Sequence, residues 1–465
     1  MTDDIGEVNG EGKEDIVLPT AKKAMSFASS IKLFFRSLGP GIVTGGSDND
    51  PSGIATYSQA GAQFGYSQLW MAIVTLPMVI VVQEMCARIG IVSGKGLAQI
   101  IKQHYSKKLL YSIASLLLIA NTINIGADIG AMGASLRLLV PQVPFVVSTL
   151  IFTGIILAAE IFISYKTYSK VLKYLTLSLF LYIATAFLAV HNGSEWYSIA
   201  KSTLVPHFEF NTAFVLMTIA ILGTTISPYL FFWQTAQEVE EEVKRGKIEE
   251  MHKGDQYHQH SKPKITKSDL KNMRVDIITG MSLAQAIFWF IIITSASTLH
   301  NNGVTNISSA QEAARALEPL VKGFPYSGQI AGGLFTAGII GTGLLAVPAL
   351  AGSASYAISE SFGWKEGLYK KFGQAPKFYG IIIISTLIGL WINFSNIDPI
   401  RALLYTAVIN GFVSVPVLIV VSKIANNKKI LGDKVNRRSS NVFATVTVIV
   451  MASAAVAMIV YSWVL

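Results

Sequence analysis

An apolar stretch of the chain, residues 39–65, is interrupted at its centre by a short polar run. It reads GPGIVTGGSDNDPSGIATYSQAGAQFG, with Asp48, Asn49 and Asp50 directly before Pro51. A continuous helix does not tolerate this centre, because proline lacks a backbone donor and clashes with the preceding turn. Carboxylates at membrane depth are costly unless they face a cavity, an ion or a partner. The stretch therefore predicts a broken transmembrane helix whose unwound centre binds a cation; the alternative is a turn between two short hydrophobic hairpins.

The composition indicates a polytopic membrane protein. Of the 465 residues, 51% are hydrophobic and only 14% are charged, whereas soluble domains carry about 25% charged residues. The net charge of +9 does not indicate nucleic-acid binding, because the basic residues lie in short connections between apolar runs. The single cysteine, Cys86, excludes an intramolecular disulfide. No nucleophile–base pair, redox motif or nucleotide loop indicates an enzyme, and no cofactor is expected.

Eleven apolar runs are long enough to cross about 30 Å of hydrocarbon at roughly 1.5 Å per residue. They predict an all-α polytopic membrane protein. A polar segment, residues 1–38, precedes them and is expected to be a mostly disordered cytoplasmic tail without a cleavable signal peptide. The runs are 39–65, 67–91, 109–139, 144–164, 170–190, 211–238, 275–299, 328–361, 378–394, 399–422 and 442–464.

The lysines and arginines predict the orientation of these spans. The side that holds the N-terminus receives most of them, whereas the opposite side has only Lys201, Arg315 and Lys322 outside the spans. Because basic loops stay in the cytoplasm, the N-terminus is expected inside the cell. An odd number of spans then places the C-terminus outside the cytoplasm. The basic, cytoplasmic loops lie near 93–108, 165–173, 240–274, 363–377 and 423–440.

A second apolar span, residues 211–238, repeats the interruption of the first. Small, hydroxylated and proline residues lie near its middle. They are Gly223, Thr224, Thr225, Ser227 and Pro228. If spans one to five and six to ten are two halves, each half begins with an interrupted helix, as in transporters built from inverted repeats with a midplane substrate site. The alternative is an ordinary proline-kinked helix whose hydroxyls bond back to their own backbone.

Four segments of the sequence resemble the Nramp family of divalent-metal transporters. GPGIVTGGSDNDPSGIATYSQAGAQFGYSQLW is similar to the first helix of that family, and CARIGIVSGKGLAQII to the end of the second span and the following loop. NIGADIGAMG resembles the third helix, and GTTISPYLFFWQ occupies the place of the sixth-helix motif. The resemblance covers residues 35–422. It implies a LeuT-like fold with five helices in each of two inverted repeats and one additional C-terminal span.

The resemblance also implies a division of the chain into segments. The first repeat would comprise residues 39–192, and the second would comprise residues 211–422. The second repeat would contain a cytoplasmic loop, residues 240–272. The last span would comprise residues 441–465.

The motif residues depart from the family pattern at the metal site. Where metal-transporting members read Asp-Pro-Gly-Asn in the first helix, this chain reads DPSG and ends the motif on Gly53. The sixth-helix methionine is replaced by Ser227, and the two histidines by Tyr229 and Gln234. The third helix keeps one acidic residue, Asp128. The chain is therefore identified as a divergent member, similar to the Nramp-related subgroup that lacks the sixth-helix methionine.

The residues that remain at the two breaks offer only oxygen ligands. Asp50 supplies a carboxylate, Thr224 a backbone carbonyl and Ser227 a hydroxyl, and Asn49 is a further candidate. Gly53 leaves room for an ion that keeps part of its water. Hard oxygen ligands favour Mg²⁺, Mn²⁺ or Ca²⁺ over softer metals, and a sparse, roomy site suits magnesium. The expected substrate is therefore a divalent cation, with Mg²⁺ or Mn²⁺ favoured.

Proton transfer and gating have separate candidate residues. Asp128 is either a proton acceptor or a structural hydrogen-bond partner of Asn121 or Asn124. With Tyr229 and Gln234 in place of the histidines, proton coupling in the manner of the family is not expected, and protons stay an open partner.

Glu84 and Arg88 are the gating candidates. They are four residues apart on one helix face, and we expect them to form an ion pair near the cytoplasmic end.

These observations predict a secondary transporter of the cell membrane that moves its ion by alternating access, expected as a monomer. Two alternatives stay open. One is a LeuT-like carrier of a small organic solute or monovalent ion, because two usual metal ligands are missing. The other is a membrane sensor without transport that signals through residues 240–272 or the N-terminal tail.

Overall fold

The computed structural model describes residues 39–163 and 179–464, apart from short gaps at 191, 210, 249, 254–255, 261–262 and 396. The predicted N-terminal tail and the first part of the predicted span 170–190 lie outside the described residues.

The described chain is built almost entirely of α-helices. In chain order they are α1 (Pro40–Asp48), α2 (Pro51–Phe64), α3 (Trp70–Ser93), α4 (Leu97–His104), α5 (Lys107–Leu139), α6 (Phe145–Phe162), α7 (Phe180–Ala189), α8 (Gly193–Leu204), α9 (Thr212–Thr225), α10 (Pro228–Lys244), α11 (Lys267–Thr298), α12 (Ala310–Ala314), α13 (Ser327–Phe362), α14 (Pro376–Ile392), α15 (Pro399–Ala425), α16 (Lys428–Leu431) and α17 (Arg438–Val464). Short 3₁₀ turns lie at His300–Asn302, Arg315–Val321, Phe372–Gln374 and Gly432–Lys434.

The predicted cytoplasmic loop 240–272 is more structured than the sequence suggested. Helix α10 continues to Lys244, and α11 begins at Lys267. Between them, β1 (Glu250–Lys253) and β2 (Gln256–His260) pair as an antiparallel hairpin. Within the described ranges this hairpin is the one departure from an all-helical chain.

Length and hydropathy mark eight candidate membrane spans among the described helices. They are α3, α5, α6, the joined α9 and α10, α11, α13, α15 and α17. Helices α7 and α14 are apolar but shorter, and α1 with α2 forms the broken first helix. The chain is therefore a polytopic helical membrane protein, whereas the count of eleven spans stays a prediction.

Both predicted helix interruptions are present. Helix α1 ends before Asn49, whose φ of −93° and ψ of 53° are not helical, and α2 restarts with Pro51 in its first position. Helix α9 ends before Ile226, with φ of −114° and ψ of 58°, and α10 restarts with Pro228. Proline disfavours the helical conformation in the residue before it and is well placed in a first helical turn, so each proline ends one helix and begins the next.

Each broken helix packs against the helix that follows the other break. Helices α1 and α2 pack on α11, whereas α10 packs on α3. Glycines allow close backbone approach in both places. A β-carbon on Gly45 would lie 2.3 Å from the carbonyl oxygen of Gly280, and one on Gly90 would lie 2.4 Å from that of Thr235. This packing brings the two breaks together, with Gly53 beside Thr224.

Helices α5 and α13 pack along each other beside the breaks. The side-chain amide of Asn121 joins them, since it donates to the carbonyl of Leu350 at 2.9 Å and to the hydroxyl of Ser353 at 2.7 Å. Cys86, on α3, is fully buried. The face of α5 that carries Asp128 is thereby held against the rest of the core.

Candidate metal site between the helix breaks

Asp50 lies at the first break, and both of its carboxylate oxygens are fixed. It is only 2% exposed. Its Oδ1 accepts the backbone N–H of Gly53 at 2.7 Å, so Asp50 is the N-cap of α2. Its Oδ2 accepts the side-chain amide of Asn124, on α5, at 3.1 Å. The carboxylate is therefore held in one orientation by its own helix and by a neighbouring one.

The missing side chain of Gly53 leaves a space surrounded by oxygens from both breaks. A β-carbon there would lie 3.2 Å from the carbonyl oxygen of Asp48, 3.3 Å from Thr224 Oγ1 and 3.4 Å from Asp50 Oδ1. The Thr224 hydroxyl also lies 3.3 Å from the hydroxyl of Ser52. The sequence suggested the backbone carbonyl of Thr224 as a ligand, but the structure places its side-chain hydroxyl beside this space.

Ser227 bonds within its own turn. Its hydroxyl donates to the carbonyls of Gly223 at 2.7 Å and Thr224 at 2.8 Å, which is the back-bonding that the sequence left open as an alternative. The lone pairs of Ser227 stay able to accept or ligate, while the Thr224 carbonyl already has one donor.

Two further residues of the first break carry buried oxygens without a donor. The side-chain amide of Asn49 donates to the carbonyl of Ala284, on α11, at 3.4 Å. Its Oδ1 and the Oδ1 of Asp48 are buried and have no hydrogen-bond partner within the described chain. Buried polar atoms are normally paired. These two acceptors are therefore available to a cation or to water.

Asp128 has no hydrogen-bond donor at either carboxylate oxygen among the described residues, although it is fully buried. Of the two alternatives for Asp128, the structural bond to Asn121 or Asn124 is absent, because the amide of Asn121 donates to α13 and that of Asn124 donates to Asp50. Asp128 is near enough to Asp50 for their charges to repel each other. Asp128 therefore adds a third carboxylate to Asp48 and Asp50 in the surroundings of the first break.

Tyr229 and Gln234, which the resemblance places at the positions of two histidines, connect α10 to α1. The Tyr229 hydroxyl donates to the carbonyl of Ser47 at 2.8 Å. Gln234 accepts the hydroxyl of Thr44 at 2.5 Å and donates to Glu238 at 2.9 Å. The bonds to Ser47 and Thr44 hold the second half of one broken helix, α10, against the first half of the other, α1.

Asp276 also holds α1, and the sequence analysis missed it. Its carboxylate accepts the backbone N–H groups of Gly39 at 2.9 Å and Gly41 at 2.6 Å, which are free donors at the start of a helix. A lone acidic residue in the apolar part of α11 was the available signal. Asp276 therefore joins the N-terminal end of α1 to α11.

The predicted ion pair between Glu84 and Arg88 is confirmed, with Arg88 Nη2 and Glu84 Oε2 3.0 Å apart. Three further contacts connect this pair to other segments. Glu84 Oε1 also pairs with Nε of Arg274, on α11, at 3.0 Å. Arg88 donates to the carbonyl of Lys434 at 2.7 Å and to the side chain of Asn436. The pair therefore joins α3, α11 and the segment before α17.

The two breaks together form a closed, oxygen-lined site. Asp50 and Thr224 are each 2% exposed, and Asn49 and Ser227 are 1% exposed. Among the residues that the structure describes, no group of three or more His, Cys, Asp or Glu side chains could hold a metal. A cation here would meet few carboxylates and several neutral oxygens, all on buried residues.

A protein-family model, described as natural resistance-associated macrophage protein-like (Nramp), matches residues 41–461. The chain belongs to the Nramp family. This confirms the resemblance that the helix motifs indicated. At 25% identity to its curated relatives, this Nramp protein is a divergent member.

Those relatives are matched over almost their whole length. The Nramp chain is 25% identical over 422 residues to the divalent metal cation transporter MntH of Klebsiella pneumoniae (strain 342), covering 90% of this chain and 92% of the relative. It is 25% identical over 425 residues to MntH of Yersinia enterocolitica, covering 89% and 92%.

Two solved structures share the fold of this Nramp protein. The Eremococcus coleocola manganese transporter in complex with an aromatic bis-isothiourea substituted compound matches with a TM-score of 0.69 and 18% identity, over 93% of this chain and 87% of that chain. The nucleobase-cation-symport-1 family transporter Mhp1 matches with a TM-score of 0.54 and 13% identity, over 91% and 89%. The fold is the LeuT-like one that the resemblance implied.

Proposed function

We propose that this Nramp protein is a secondary transporter that moves a divalent cation across the cell membrane by alternating access. The observation that carries the proposal is the oxygen-lined space at Gly53, where Asp50 from one break and Thr224 from the other approach the same point. Unwound helix centres that face each other at membrane depth are typical sites for transported ions. The names of the curated relatives, divalent metal cation transporters, support the same class of substrate.

A hard ion such as Mg²⁺ or Mn²⁺ fits this set of ligands best. The proposed ligands are Asp50, Asn49, Thr224 and Ser227, all of which offer oxygen. Gly53 contributes space instead of a side chain, so the ion keeps part of its water. Magnesium dehydrates reluctantly and commonly binds through one or two carboxylates and several waters.

Release of the ion requires α1 to separate from α10 and α11. The bonds that oppose this movement are those of Tyr229 to Ser47, Gln234 to Thr44 and Asp276 to the start of α1. Because α1 is joined to both neighbours, we assign it the inner gate. Glu84 and Arg88 both lie on α3, and Glu84 joins α3 to α11 through its pair with Arg274. We assign these two residues to the same inner gate.

We propose transport without proton coupling. Tyr229 and Gln234 make structural hydrogen bonds to α1 and carry no imidazole. Asp128 is the one proposed residue that could take up a proton near Asp50. An inside-negative potential draws each positive charge inward by about 2.3 kcal/mol per 100 mV, so a divalent ion does not need a proton to accumulate. The protein is proposed to act as a monomer, with its N-terminus in the cytoplasm and its C-terminus outside.

The testing experiment compares two aspartates that both cap helices. Asp50→Asn keeps a capping side chain at α2 but removes the charge, whereas Asp398→Asn does the same at α15, where Asp398 accepts the N–H of Ile400 at 2.9 Å. Uptake of Mg²⁺ and Mn²⁺ into proteoliposomes is expected to fall at least about tenfold in Asp50→Asn, on the scale of lost metal-site interactions. It should stay near wild type in Asp398→Asn.

Calorimetry on the purified protein measures its affinity for each divalent ion. Mg²⁺ and Mn²⁺ are expected to bind and Cd²⁺ to gain no advantage, because the proposed ligands include no sulfur. If no divalent ion bound or moved at millimolar concentration, the metal proposal would be replaced by the organic-solute or sensor alternative. A pH dye inside the liposomes tests coupling, and acidification in step with uptake would overturn the uncoupled mechanism.

A further inference from the structure

A cleft with six cationic side chains lies between α3, α11 and the segment that leads into α17. Its volume is about 370 Å³, and we call it the basic cleft. The cations are Arg88, Lys267, Lys271, Arg274, Lys434 and Arg437, and the one acidic side chain in the lining is Asp433. Arg88 and Arg274 pair with Glu84, which belongs to the proposed inner gate, but none of the proposed metal ligands lines the cleft.

The positive charge of the basic cleft is poorly balanced by the protein. Arg88 and Arg274 share a single carboxylate, that of Glu84. Lys267, Lys271, Lys434 and Arg437 make no ion pair within the described ranges. Arg88 is close enough to Arg274 and Arg437 to be repelled by both. An anion in the cleft would relieve this repulsion.

Arg88 is the buried cation of the basic cleft, and its position is fixed by hydrogen bonds. Its side chain is buried, at 3% exposure, and is held by Glu84, the Lys434 carbonyl and Asn436. Its Nε is buried without a hydrogen-bond partner. Guanidinium groups bind phosphate oxygens through several directed N–H bonds. A fixed arginine with exposed lysines around it is an arrangement suited to a phosphate group.

The surface of α11 continues from the basic cleft into an apolar strip. Lys271 lies four residues before Val275 and seven before Ile278, so the three residues share one helix face. Val275 is 43% exposed and Ile278 is 47% exposed. Lys267 adds charge in the first turn of α11, where the helix dipole also favours an anion. A charged end followed by exposed apolar side chains matches a phospholipid, with its headgroup in the cleft and its acyl chain along the helix.

We propose that the basic cleft binds the phosphate group of an anionic phospholipid of the inner leaflet. The lysine and arginine distribution places this end of α11 on the cytoplasmic side, where anionic headgroups attract clustered basic residues. The bound phosphate ties α3, α11 and the segment before α17 together. Free phosphate shares the recognised chemistry and is the second source that the experiment distinguishes.

The test measures thermal unfolding of the full-length protein in neutral detergent. Phosphatidylglycerol is titrated in parallel with phosphatidylcholine that has the same acyl chains, and inorganic phosphate is titrated separately at fixed ionic strength. We expect phosphatidylglycerol to raise the Tm and phosphatidylcholine to raise it much less. A double variant, Lys271→Gln with Lys434→Gln, should bind phosphatidylglycerol about tenfold more weakly, because each basic residue contributes to attraction of the headgroup.

A second double variant is the matched control. Lys107→Gln with Lys108→Gln removes the same charge from exposed positions at the start of α5, outside the basic cleft, and should retain wild-type affinity. If inorganic phosphate reproduces the rise in Tm and the cleft variant abolishes it, the phosphate site stands and its source is the free anion. Equal weakening by both double variants would show unspecific surface attraction and overturn the proposal. No shift with either phosphatidylglycerol or phosphate would overturn it as well.

Discussion

At the scale of single residues, Asp50 has two roles that compete for the same atoms. One oxygen holds the first turn of α2 through the N–H of Gly53, and the other accepts the amide of Asn124. A cation that binds Asp50 must share these oxygens with their donors. Each carboxylate oxygen has more than one lone-pair direction, so a metal and a donor can both be accommodated.

Gly53→Ala tests the space beside Asp50. The added methyl would lie within 3.4 Å of three oxygens, so it excludes the ion or its retained water while fitting with small shifts. We expect about tenfold weaker binding of Mg²⁺ in calorimetry, on the scale of other perturbed metal sites, with little change in Tm. Unchanged affinity would place the ion away from Gly53.

Glu84→Gln tests the buried ion pair. Glu84 serves both Arg88 and Arg274, and its side chain is 11% exposed. Loss of its charge leaves two arginines close together, and breaking a buried pair typically costs about 3–5 kcal/mol. A clear fall in Tm is expected.

The exposed pair of Glu241 with Arg245 provides the control for Glu84→Gln. It has the same four-residue spacing, but its side chains are 32% and 43% exposed. Glu241→Gln should lower stability by less than about 1 kcal/mol, because exposed pairs contribute little. Similar effects of the two variants would show that Glu84 is effectively solvated.

At the scale of helices, the sequence predicted the breaks but not what holds their ends. Asp50-Pro51 and Ser227-Pro228 are local signals, since proline constrains its own residue and the one before it. Asn124 and Asp276 reach the first broken helix from far along the chain, 74 residues from Asp50 and 235 residues from Gly41. Such partners depend on how helices pack, which no local pattern specifies. The same reason explains why the sequence left two alternatives open for Asp128.

Gly280→Ala tests the contact between α1 and α11. A β-carbon on Gly280 would lie 2.2 Å from the carbonyl oxygen of Gly41, and backbone on both sides prevents easy relief. We expect a loss of about 1–3 kcal/mol, as for other overpacked sites, together with slower ion uptake, because α1 is displaced. Thermal unfolding and uptake measure the two effects.

Gly154→Ala, in α6, is the control for Gly280→Ala. A β-carbon there would meet nothing within 4 Å. The substitution should be neutral or should stabilise the helix by up to about 1 kcal/mol. If Gly280→Ala behaved in the same way, the close packing of α1 on α11 would be refuted.

At the scale of the whole molecule, the family motifs predicted the helical, LeuT-like fold that the structure shows, whereas the count of eleven spans stays a prediction. They lie in the helices that form the two breaks and in their neighbours, so they indicated which helices meet. The short helices between α11 and α13 were not predicted from the sequence, because their sequence is neither apolar enough nor long enough to indicate a membrane span. The hairpin between α10 and α11 was missed because polar sequence of that kind predicts only a loop.

Reporter fusions to the full-length chain test the predicted orientation. Alkaline phosphatase folds actively only outside the cytoplasm, where its disulfides form. The distribution of lysine and arginine predicts a cytoplasmic N-terminus, and the odd number of predicted spans then places the C-terminus outside. We therefore expect an active enzyme when it is fused after Leu465 and an inactive one when it is fused before Met1. The two fusions control for each other. Activity at both ends, or at neither, would require an even number of spans.

The burial of Cys86 makes the natural protein suitable for site-directed labelling at introduced cysteines. It is the only cysteine in the sequence, and its thiol is fully enclosed in the core, so thiol reagents should leave the folded protein unmodified. Spin labels or fluorophores attached at two newly introduced surface cysteines would then report without background. Distances between α1 and α11 are therefore measurable in a chain that keeps its native core.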